Sequence, residues 1–230
     1  MRLGIVIPTY WRKDNSSCAL LRRSLTSILN QTYSKYHVFL IGDNYEVVDE
    51  LLDISKIIPS EKISVINLPF AKERDIYTGH RLWCTGGVYA SNIGINLCLS
   101  NNINYICHLD HDDWWEHTHL NEIAKAFNEK DYAIVATQST HINSQILPKI
   151  KTHPFYPKCG DLIRSSVCIN FKNIDLRYRN VFKETGVDFP ADCDLWKRLS
   201  NYMVSNNLIG KLINKITCNH QDEGYSKKIK

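Results

Sequence analysis

The chain has 230 residues, 43% of them hydrophobic and 23% charged, an ordinary globular composition with enough apolar material for a core that needs no metal or disulfide staple. A formal charge of +4 without a dense basic cluster argues against a nucleic-acid partner. No apolar run reaches the roughly 18–20 residues of a membrane span, and MRLGIVIPTY is too short an apolar stretch for a signal peptide.

LGIVIP, residues 3–8, is a β-branched run closed by proline and predicts a buried strand. Residues 18–30 set Leu20, Leu21, Leu25, Ile28 and Leu29 at helical spacing. HVFLIG (37–42) predicts a second strand, 46–57 a second helix and ISVINL (63–68) a third strand. Residues 69–86 are long and weakly periodic, as functional lids often are, with Arg74, His80, Arg81 and Trp83 within reach of a ligand. Residues 86–100 read as a Gly-rich start to a helix and YICHLD (105–110) as a fourth strand. A helix at 117–129, a strand at 132–138, a helix at 192–204 and a strand at 211–218 complete the reading.

Alternating strands and helices in the first half imply a parallel sheet covered on both faces, followed by a less regular α+β half. Ligands of open α/β sheets bind beyond the carboxyl ends of the strands. Residues 8–10, 42–44 and 110–113 stand at three such ends, so three polar segments are expected to meet at one crevice. Eight cysteines are scattered without C-x-x-C spacing, and several lie in apolar runs as free thiols do, so a reducing, cytoplasmic setting is expected.

Asp110, Asp112 and Asp113 crowd the end of the fourth strand, where their charges repel unless something compensates. A divalent cation, Mn2+ or Mg2+, takes oxygen ligands and leaves room for substrate phosphates. Alternation turns the carboxylates of Asp110 and Asp112 one way and His111 the other. The competing reading is a helix N-terminus near 117, which acidic residues would cap. His108, His111, His117 and His119 also raise a zinc site, although the last two would face apart on a helix. Trp114 and Trp115 read equally as a floor for a sugar or base ring and as packing against the next helix.

IVIPTYWR, SLTSILNQTY, VFLIGDN, GGVYASNIGI, HLDHDDWW and DCDLWKRL follow one another as in family 2 glycosyltransferases of the GT-A fold, which this chain resembles along nearly its whole length. The resemblance implies a Rossmann-like, mainly parallel sheet in a single domain, with residues 1–113 binding a nucleotide-diphosphate sugar and 114–230 the acceptor. It implies inverting, metal-dependent transfer to an acceptor hydroxyl of a glycan, lipid-linked molecule or protein, with a UDP-sugar as the favoured donor. By position, Pro8, Thr9, Tyr10, Arg12, Asp43, Asn92, Asp110 and His111 would bind the nucleotide sugar. Asp112 and His220 would ligate the metal, and Asp192 would be the base, with Asp188 and Asp194 as rivals. Three departures stand out. The second strand ends in Gly42, Asp43, Asn44 and Tyr45 rather than in paired aspartates. Ala191 replaces a glutamate. Ser91 stands where relatives carry arginine, a role Arg74 or Arg81 would take over. The lysines of SKKIK (226–230) suit peripheral contact with an anionic membrane. A sugar nucleotidyltransferase is the rival enzyme, but its Gly-rich phosphate loop is absent. A silent nucleotide-sugar or glycan-binding module is the non-catalytic rival.

Overall fold

The computed structural model describes residues 1–141, 144–149 and 153–221. Its organising element is β1 (Leu3–Thr9), buried at every position. Side chains alternate across the strand, so Leu3, Ile5 and Ile7 enter one core and Val6 the other. β2 (Tyr36–Gly42), β3 (Ile63–Asn67) and β4 (Tyr105–His108) lie parallel to it, with β2 and β4 on either side and β3 beyond β2.

Helices cover both faces. α1 (Ser16–Leu29) and α2 (Val48–Ser55) seal the core of Leu3, Ile5 and Ile7 with Leu21, Leu25, Ile28, Leu51 and Ile54. α3 (Gly79–Thr85) is short, and α4 (Val88–Ser100) lies on the opposite face. α4 approaches β1 closely because two positions carry no side chain. A Cβ at Gly4 would stand 2.6 Å from Cys98 Sγ, and one at Gly94 would stand 2.4 Å from Val6 Cγ1.

The second half completes the sheet. Its elements are β5 (Trp114–Trp115), α5 (His119–Glu129), β6 (Ile134–His141), β7 (Gln145–Leu147), β8 (Val167–Asn170), α6 (Val181–Thr185), α7 (Ala191–Ser205) and β9 (Lys211–Asn219). The strand order is β3-β2-β1-β4-β8-β6-β9-β5, with β7 paired to β6. β8 runs antiparallel to both β4 and β6, which breaks the parallel pattern where the second half begins. α7 fills the α4 side with Leu195, Trp196, Leu199 and Met203.

The expected helices and strands are all present, and the differences lie between them. β8 was missed because VCIN is short and buried throughout, so it shows no period. β5 separates the aspartates from α5, so residues 110–113 do not cap that helix. Cys159 and Cys193, 34 positions apart, form a disulfide and depart from the expectation of free thiols. Cys18, Cys84, Cys98, Cys107, Cys168 and Cys218 remain free, and all but Cys18 are buried. Among the described residues no helix is long and apolar enough to cross a membrane. The segment 226–230 lies outside the described residues.

Candidate active site

The strand ends converge as the pattern of elements predicts. Thr9 pairs with Gly42 across β1 and β2, the Asp43 amide donates to the Thr9 carbonyl at 2.7 Å, and the Leu109 amide donates to the Val6 carbonyl at 3.1 Å. Pro8 and Thr9 are buried, and the Thr9 hydroxyl has no hydrogen-bond partner among the described residues. Asp43 is 2% exposed. Its Oδ2 accepts from Arg74 Nε at 2.9 Å, while Oδ1 is buried with no hydrogen-bond partner among the described residues. Burial raises its pKa despite the guanidinium. Arg74 lies 4.8 Å from the Tyr10 ring and closes this corner. Behind it, buried Glu73 accepts from the Tyr89 amide at 3.3 Å, and burial pushes its carboxyl up to about 7.

The aspartate loop is tied to α1. Ser24 Oγ contacts the carbonyl oxygens of His111, at 2.8 Å, and Asp113, and Arg23 donates to the Asp112 carbonyl at 2.6 Å. Each aspartate then has its own partner, which is how three like charges coexist. Asp110 pairs with Arg164. Asp112 Oδ2 accepts from Arg12 Nη2 at 3.0 Å. Asp113, wholly buried, accepts from Ser165 Oγ at 2.5 Å and from the Gln221 amide at 2.9 Å, and it pairs with His220 Nδ1 at 2.9 Å. His220 therefore meets Asp113. His111 is buried edge-on to Tyr10 at 5.1 Å, and burial lowers its pKa.

Trp114, Trp115, His108 and His119 are taken up in packing. Trp115 is buried, stacks on His119 at 4.3 Å and donates to the Ser165 carbonyl at 2.7 Å. Trp114 is covered by Arg23, 3.9 Å from its ring. Burial pulls His108 and His119 down to about 3, so both are neutral. Among the described residues no group of three or more His, Cys, Asp or Glu side chains is arranged to hold a metal ion.

A cavity of about 370 Å³ opens beside β4, lined by Asp110, Arg164, Tyr178, Asp192, His141 and His220, with Trp83, Cys84 and Cys193 at its wall. Asp192 lies in the first turn of α7 and accepts from the Cys193 amide at 2.8 Å. Its rivals are committed elsewhere. Asp194 is held by Arg179 at 2.6 and 3.0 Å and by Arg198 at 2.7 Å; burial raises its pKa, but the two guanidiniums outweigh this and keep it below the usual range. Asp188 pairs with Arg81 at 2.9 Å. Asn92 spends its side-chain amide on both backbone groups of Tyr178, at 2.9 and 3.0 Å, and faces that residue rather than the cavity. With Arg74 and Arg81 engaged, the cation that reaches Ser91 is Arg164, whose Nη1 lies 3.3 Å from Ser91 Oγ. Arg164, Tyr178 and His141 carried no motif or period to mark them in the sequence. A shallower depression of about 530 Å³ lies along α1 near Arg22, Trp114 and His117, and no aspartate of the cluster lines it.

The sequence profile of glycosyl transferase family 2 matches residues 4–196. The chain belongs to that family. An uncharacterized glycosyltransferase of Acanthamoeba polyphaga mimivirus is 34% identical over 236 residues, covering 97% of this chain and 95% of the relative. The succinoglycan biosynthesis protein ExoW of Rhizobium meliloti is 31% identical over 121 residues, 52% of this chain and 32% of that protein. Among solved structures, S. aureus TarS superposes with a TM-score of 0.67 at 12% identity, over 99% of this chain and 63% of that one. The mannosyltransferase PcManGT of Pyrobaculum calidifontis, in complex with GDP-Man and Mn2+, gives 0.60 at 13% identity, over 99% and 59%. The present chain spans about three fifths of these two structures. This family 2 glycosyltransferase thus has the GT-A fold, with β1 to β4 all parallel and the second half mixed.

Proposed function

We propose that the enzyme is an inverting glycosyltransferase that moves a sugar from a nucleoside diphosphate, a UDP-sugar ahead of a GDP-sugar, to a glycan hydroxyl. One observation carries the reading: Asp110, at the end of β4, and Asp192, at the start of α7, line the same cavity. Base binding is assigned to the Asp43 corner with Thr9, Tyr10 and Arg12 nearby. Because Arg74 occupies one Asp43 oxygen, a single buried acceptor is left there. That matches the single N–H on the pairing edge of uracil better than the several donors of guanine. TarS has been solved with UDP-GlcNAc, which supports this donor class.

Inversion is a one-step displacement at the anomeric carbon. Asp192 takes the proton of the acceptor hydroxyl on one face, and the diphosphate departs on the other. Asp194 and Asp188, neutralised by arginines, leave Asp192 as the acid residue of that segment open to the cavity. Asp110 and His220 open on the cavity with the oxygen and imidazole donors that suit Mn2+ or Mg2+. Asp110 and His220 would hold such an ion from the cavity, with Asp112 joining them where the ion takes the place of Arg12, and the ion when bound supplies positive charge to the leaving diphosphate. Half-exposed Trp83 on the cavity wall offers an aromatic face to an acceptor sugar.

A thermal-shift and hydrolysis screen of UDP- and GDP-sugars, with and without Mn2+, tests the reading. Stabilisation and slow nucleotide release with a UDP-sugar and Mn2+, both lost in Asp112→Ala, are the expected outcome. A wild-type chain that responds to no donor contradicts it.

A further inference from the structure

Arg164 heads a 3-10 turn (Arg164–Ser166) whose backbone is fixed on several sides. Ser165 bonds Asp113 through its hydroxyl, and its carbonyl accepts from Trp115. The Arg164 guanidinium is therefore a placed group. Its side chain is 17% exposed and lines the cavity, paired to Asp110 and reaching Ser91 Oγ at 3.3 Å. Ser91 donates its own proton to the Gly87 carbonyl at 2.6 Å, so toward Arg164 it is an acceptor. Five N–H donors point from a guanidinium, and these two contacts leave donors over.

Tyr178 adds an independent observation. It is 3% exposed, its backbone is clamped by Asn92, and it lines the same cavity. Its hydroxyl is buried beside the Arg164 donors, and its own proton has no acceptor among the described residues. The Arg164 guanidinium lies 5.6 Å from its ring centroid. A buried O–H without an acceptor is costly, and such groups mark sites that a ligand completes.

We propose that Arg164 and Tyr178 form the subsite for the terminal phosphate of the nucleoside diphosphate, the group released when the sugar is transferred. The assignment rests on the nucleotide-sugar reading above. A guanidinium fork beside a phenolic O–H gathers several N–H and O–H donors at one point, which the oxygens of a phosphate accept, and the fork adds the positive charge that a phosphate needs and a sugar hydroxyl does not. Asp110 orients the fork from behind. Arg164 thereby supplies from β8's leading turn a positive charge that Ser91 on α4 does not carry.

Calorimetric titration of UDP and UMP in Mn2+ buffer reads this directly, because only UDP has the second phosphate. Arg164→Ala should weaken UDP about 10- to 100-fold while leaving UMP within about twofold. Arg164→Lys, which keeps the charge but not the fork, should fall between, and Tyr178→Phe should cost several-fold for UDP alone. Unchanged UDP affinity in Arg164→Ala overturns the proposal, as does an equal loss for UDP and UMP. A wild-type chain that binds neither UDP nor GDP sinks the nucleotide-sugar reading itself, and this subsite with it.

Discussion

Asp192 and Asp194 stand two residues apart in the first turn of α7, yet Asp192 opens on the cavity while Asp194 is held by Arg179 and Arg198. Successive helix positions point about 100° apart, so neighbouring carboxylates reach different surroundings. Asp194→Ala should therefore act on stability. Removing it takes the buried carboxylate from Arg198 and leaves Arg179 with Glu184 alone, and should cost about 2 kcal/mol in urea unfolding. Asp192→Ala should shift the same curve by less than about 0.5 kcal/mol.

Asp113 is the structural member of the aspartate cluster. It ties the loop to Ser165 on one side and to His220 and Gln221 on the other. Asp113→Ala would leave several buried donors unmet, and a loss of about 3 kcal/mol is expected from the urea midpoint. Asp112→Ala removes one partner from Arg12 and should cost about 1 kcal/mol or less.

Glu73 gives a pH signature. Its folded pKa, about 7, lies above the ordinary 4.5 because the group is buried. A raised pKa means that its favourable contribution is complete below about 4.5 and is lost as pH rises through about 7. Glu73→Gln cannot titrate, so its stability relative to wild type should climb by about 2–3 kcal/mol across that window. His108 and His119 run the other way, stabilising above 6.5 and losing that as pH falls toward about 3. Both chains share them, so they cancel in the comparison. A flat difference between the two unfolding curves from pH 4 to 8 would contradict the placement of Glu73.

The Cys159–Cys193 bridge predicts six titratable thiols in the unfolded, unreduced chain and eight after reduction. Thiol titration in denaturant with mass measurement reads both numbers. Eight thiols before reduction would show that the pair is open in the protein as isolated.

Much of this was legible in the residues. LGIVIP, HVFLIG and YICHLD announced the parallel half because buried parallel strands are continuous apolar runs. The convergence of residues 8–10, 42–44 and 110–113 followed from that topology alone. What the sequence hid were pairings between distant positions. Arg12 meets Asp112 across 100 positions and Arg164 meets Ser91 across 73. No local period records which charge faces which, and so nothing in the sequence marks the pairing of His220 with Asp113. β8 was invisible for a related reason: a four-residue strand with both faces covered has no polar side to reveal its phase.

The most direct test of the account is donor turnover by Asp192→Asn beside wild type, with UDP-GlcNAc and Mn2+ and each enzyme at matched donor occupancy. The account predicts binding within about twofold and turnover lower by at least about 100-fold, as befits the loss of a general base. Turnover that survives the substitution, with donor binding intact, would contradict it and move the base elsewhere.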